Sequence, residues 1–83
     1  MMYEEFRAWL KSNKGLSTRS SNDVISRLKR VMILADVETV DSNTNSLLES
    51  SNQFVSCSMS VKSQLRRAII LYNEFLINSV TND

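Results

Sequence analysis

The side chains best suited to chemistry are few, and their spacing separates them. Glu4 and Glu5 are adjacent, so on a helix they point about 100° apart and cannot work as a facing carboxylate pair. The chain has no histidine, which removes the commonest general base, metal ligand and physiological pH switch. No serine therefore has an imidazole to activate it. The single cysteine, Cys57, excludes an internal disulfide and a cysteine-based metal cage. It lies among serines with no basic residue nearby in sequence, so nothing marks it as an activated thiolate. Trp9, Tyr72 and Phe75 fall on apolar stripes, where packing explains them better than base stacking. The expectation is a protein that is not an enzyme, with no metal, no cofactor and no evident small-molecule substrate.

What remains is architecture. Residues 60–79 hold the longest apolar pattern: Val61, Leu65, Ala68, Tyr72 and Phe75 recur at spacings of four and three, flanked by Ile69 and Leu76. At about 100° per residue these positions make one broad stripe. Ser60 can cap the start. Ile70 and Ile77 depart from the stripe. They project from nearly the opposite side, where a half-buried helix carries polar residues. Either another segment covers them, or they form a contact surface for a partner or a second copy.

Upstream elements read as cover for that helix. Residues 2–13 form a first helix with Met2, Phe6, Trp9 and Leu10 on one side. Glu4 and Glu5 in its first turn and Lys11 near its end suit the helix dipole. Gly15 terminates it in the left-handed conformation, and Leu16 packs back. Ser17 or Ser21 caps a second helix running to about Ala35, with Val24, Ile25, Leu28, Val31, Met32 and Ala35 inward. Ile33 and Leu34 lie outside that stripe, which predicts cover on more than one side. Asp23, four residues from Arg19 and Arg27, allows helix-surface ion pairs. Residues 36–44 connect, anchored by Val37 and Val40. A short third helix spans 45–54 with Leu47, Leu48 and Phe54 inward, and residues 56–59 connect to the last helix. Residues 81–83 are expected to fray.

Length and charge bound the rest. Eighty-three residues make one domain, and a chain this short buries only about 60–65% of its unfolded surface, so it gains from self-association. No run is long enough to cross a bilayer, and acids stand where a signal peptide needs cations, so the expected location is cytoplasmic. The net charge of +1 gives no bulk argument for nucleic acid. The charge is nevertheless segregated: all Lys and Arg lie between Arg7 and Arg30 or between Lys62 and Arg67, while Glu38, Asp41 and Glu49 occupy the middle.

Three segments, FRAWL with the following KGLS, STRSSNDVISRLKRV, and SVKSQLRRAIILYNEFL, together resemble the SAM-like core-binding domain that precedes the catalytic domain of tyrosine recombinases, the phage-type integrases. The resemblance covers nearly the whole chain. It implies an all-α fold, a single four-helix SAM-like bundle over residues 1–83. In that family the domain forms half of a clamp around duplex DNA, using basic and hydroxyl residues of the second and fourth helices. Carried onto this chain, Ser17, Thr18, Arg19, Arg27, Lys62 and Arg66 are the positions that could meet phosphates. The chain departs from the family twice. Ile70 stands where a basic residue is often found, and these residues contain no counterpart of the catalytic domain. The resemblance thus implies a small non-catalytic module of mobile-element type that binds DNA weakly through its backbone. The alternative is a helical interaction module that forms a homodimer through Ile70 and Ile77 and binds no DNA.

Overall fold

In the computed structural model, which describes residues 2–81 and the side chains of residues 2–78, the chain is all-helical among the described residues. Five helices follow in order: α1 (Tyr3–Asn13), α2 (Thr18–Ala35), α3 (Thr44–Glu49), α4 (Asn52–Val55) and α5 (Met59–Thr81).

The helix ends explain why the elements stop where they do. Gly15 takes φ 65°, and the Leu16 N–H reaches back to the Leu10 carbonyl at 3.3 Å, which closes α1 and folds Leu16 onto the core. Ser17, not Ser21, caps α2: its Oγ accepts the Ser20 N–H at 3.1 Å. Asp36 ends α2 at φ 57°, a left-handed position that Asp tolerates better than most residues with a Cβ, and Val37 donates back to the Met32 carbonyl. In the connector, Val40 is buried, and the Thr44 Oγ1 accepts the Asp41 N–H at 2.9 Å.

The expected third helix is two helices. Ser51 adopts an extended backbone (φ −75°, ψ 126°), and its Oγ accepts the Phe54 N–H. On one unbroken helix Leu48 and Phe54 would point about 120° apart. The break lets both sink into the core, where each is nearly inaccessible, while Leu47 faces outward instead of inward. The start of α5 also differs from expectation. Ser58, not Ser60, holds the Val61 N–H, so Met59 belongs to the helix rather than to a connector.

All five helices share one apolar core. α2 and α5 pack face to face, α1 leans on both, and α3 bridges the other side of the same pair. Phe6, Trp9, Tyr72 and Phe75 interlock, with Phe6 edge-on to Tyr72 at 5.1 Å. Because neighbours lean on both its flanks, α5 buries Leu71 as well as Leu65, Ala68, Ile69, Tyr72 and Phe75. Met2, expected to face inward, is 42% exposed, Trp9 is half-buried, and Leu34 is half-covered; Ile33, expected to be covered, is 76% exposed. Of residues 81–83, expected to fray, Thr81 is the last residue of α5, and residues 82–83 lie outside the described residues.

Candidate interaction surfaces

The six residues read as phosphate contacts divide into two groups. Ser17, Thr18, Arg19 and Arg27 belong to the start and middle of α2. The Ser17 hydroxyl is occupied as the helix cap and also contacts the Ser20 hydroxyl at 3.2 Å. Arg19 is exposed and Arg27 half-buried, and neither takes part in an ion pair among the described residues. The expected pairs of Asp23 with these two arginines do not form. Arg7 instead crosses to α2, donating to the Asn22 side chain at 2.8 Å, and the Lys29 ammonium lies 4.9 Å from the Tyr3 ring.

Lys62 and Arg66 come together on α5, both over the Phe54 ring, at 5.8 and 5.3 Å. Arg66 also grips Glu49 through two nitrogens, with hydrogen bonds of 2.8 and 3.1 Å. Its guanidinium therefore already holds a carboxylate of α3. Arg19 and Arg66 do not share a surface. Arg19 lies nine positions from buried Leu28, about 180° around α2, while Arg66 lies about 160° around α5 from buried Ala68. Since α2 and α5 meet through their buried faces, Arg19 and Arg66 point to opposite sides of the molecule.

The outer face of α5 holds the interface candidates. Ile70 is 63% and Ile77 65% exposed, and Met59, 74% exposed, lies on the same line. Met59, Ile70 and Ile77 recur at spacings of eleven and seven residues, each a whole number of turns to within about 20°. Among the described residues no segment covers Ile70. It borders a shallow depression with Ser63, Arg67, Leu71 and Glu74, at whose edge Lys14 of the α1 terminus bonds Glu74 at 2.7 Å. Ile77 borders a second, mainly apolar groove with Val40, Asp41 and Leu76. Met59 was the residue missed by sequence reading; its spacing from Ile70 and Ile77, close to whole helical turns, was the available signal.

The groups with chemical potential remain apart. Cys57 is half-buried, and its thiol contacts the Gln53 carbonyl at 3.3 Å. No cluster of three or more Cys, Asp or Glu that could hold a metal ion occurs among the described residues, and no helix there is long and apolar enough to cross a membrane. Burial pushes the Tyr72 phenol above its ordinary pKa. No family model, no curated protein and no solved structure matches the chain.

Proposed function

We propose that this chain is a non-catalytic helical interaction module that acts as a homodimer through the outer face of α5. The observation that carries this reading is the exposure of Ile70, in line with exposed Met59, on a face that an isolated bundle would leave to polar side chains. Burying such a side chain stabilises association by about 1.5–3 kcal/mol before ordering costs. Under two-fold symmetry one substitution alters the interface twice. Sedimentation equilibrium tests it: the wild type dimerises at micromolar to hundreds-of-micromolar concentration, and Ile70→Lys is a folded monomer. A wild type that stays monomeric throughout this range excludes the reading.

The second reading is weak binding to duplex DNA through α2, in the manner of an integrase core-binding domain, within a mobile-element or phage setting in the cytoplasm. Arg19 and Arg27, unengaged by any carboxylate among the described residues, favour it, with exposed Arg30 on the same helix. On this reading α3 and α4 together replace the third helix of a SAM-like four-helix bundle. Of the original candidates, Arg19 and Arg27 would carry the phosphate contacts, because Arg66 is committed to Glu49. Each lost contact reduces the slope of log K against log salt by about 0.9, equally on every sequence. Absence of binding by folded protein at low salt excludes it.

A further inference from the structure

The charges along α5 specify how two copies would meet. Residues 59–70 of the helix contain Lys62, Arg66 and Arg67 and no acid, whereas residues 71–81 contain Glu74 and no Lys or Arg. The carbonyl end of the helix adds partial negative charge to that second half. Arg67 is exposed and belongs to none of the ion pairs among the described residues.

Ile70 is the natural origin of the outer face. Arg66 and Asn73 lie about 40° and 60° to one side of it, and Arg67 and Glu74 about 60° and 40° to the other. Arg67 is about 4.5 Å below Ile70 along the axis and Glu74 about 6 Å above it. A two-fold axis perpendicular to α5 inverts height and preserves side. It therefore brings Arg67 of one copy level with Glu74 of the other, to within about 1.5 Å along the axis, at both ends of the contact. Ile70 then meets Ile70 at the centre. Ile77 of one copy faces Ser63 of the other, a small side chain beside the depression next to Ile70. A two-fold axis parallel to α5 does the reverse. It preserves height and exchanges sides, placing Arg66 of one copy beside Arg67 of the other. The charge pattern of this face is complementary to itself only when inverted.

Resting on the homodimer reading above, we infer that the partner of the α5 outer face is a second copy docked antiparallel, with Ile70 on the two-fold axis and Arg67 paired to Glu74 across the interface. Lys14 holds Glu74 from within the same chain, so each carboxylate would sit between two cations, one from each copy.

Charge reversal, followed by sedimentation equilibrium at low and high salt, tests the orientation. Arg67→Glu weakens dimerisation roughly tenfold at low salt, because two exposed pairs become two repulsions, and less at high salt. Arg67→Glu combined with Glu74→Arg restores the wild-type constant to within about threefold, the remainder reflecting the lost Lys14 contact. Arg30→Glu, the same charge change on the outer face of α2, leaves it unaltered. Circular dichroism confirms that each variant is folded. A dimer that Ile70→Lys dissociates but Arg67→Glu leaves unchanged or tightens overturns the antiparallel arrangement and leaves the homodimer standing. A dimer indifferent to Ile70→Lys, or no dimer at all, overturns both.

Discussion

Ser21 offers the sharpest test of the packing. It is fully buried on the core side of α2, and its hydroxyl has no hydrogen-bond partner among the described residues. A buried polar group left unsatisfied costs about 1–3 kcal/mol, and Ala is better than Ser in a helix interior by roughly 0.5 kcal/mol. Ser21→Ala removes one oxygen and leaves only a small void. The expected result is a gain of about 1–2 kcal/mol, against a total stability of about 4–12 kcal/mol for a domain of this length. At about 4–8 °C per kcal/mol, the melting temperature should rise by roughly 4–16 °C, read by circular dichroism at 222 nm. Thr44 supplies the contrast. It is equally buried, but its hydroxyl accepts the Asp41 N–H at 2.9 Å. Thr44→Val strands that amide and should cost about 1–3 kcal/mol. If Ser21→Ala destabilises, the hydroxyl is bonded in the folded protein and its burial was bought by a partner, which refutes the unsatisfied reading.

Other expectations are quickly measured. Trp9→Ala should cost about 3 kcal/mol, the low end for an aromatic truncation, because the half-buried indole packs on Phe6 and Phe75 but keeps one edge near Lys14; urea titration reads it directly. Gly15→Ala should cost about 1–2 kcal/mol from backbone strain alone, since φ is 65° and no heavy atom lies within 4 Å of an added Cβ. Leu65→Lys should abolish the helical signal that Ile70→Lys retains, because Leu65 is 1% exposed. The raised pKa of Tyr72 gives a pH dependence. Folded and unfolded phenols are both neutral below about pH 10; above it the unfolded phenol ionises first, so stability falls as pH climbs towards the folded pKa. Tyr72→Phe should flatten that alkaline loss of stability while lowering stability little near neutrality.

Periodicity carried the long elements well. Phe6 and Leu10 on α1, the inward row of α2 and the stripe of α5 were legible because each spans several turns, and a repeated spacing outweighs local exceptions. Gly15 was legible because it is the only glycine and sits where a left-handed residue is needed. The middle of the chain was less so. Nothing in SLLESSNQF announces a break, since serine suits a helix surface and a cap alike; only the need to bury Leu48 and Phe54 together decides it. Ile33 was misread because an apolar side chain near a helix end carries no label saying which neighbour, if any, will cover it. The ion pairs Arg66–Glu49 and Lys14–Glu74 join residues far apart in sequence, so no local pattern encodes them. They are also what separates the phosphate candidates from one another: Arg66 reads as a free cation until the fold brings a glutamate to it.

The position of α5 has a consequence for synthesis. Every other apolar face closes on this helix directly or through α2 and α3, yet it is the last of the five to be made. While the ribosome is still adding residues before Leu65, Phe6, Leu28, Val31 and Phe54 lack the helix that completes their packing, and α1, α3 and α4 are too short to be stable helices by themselves. The core is therefore completed only in a late step, once α5 has been made. A premature stop anywhere ahead of Phe75 should yield a protease substrate rather than a smaller version of the same fold.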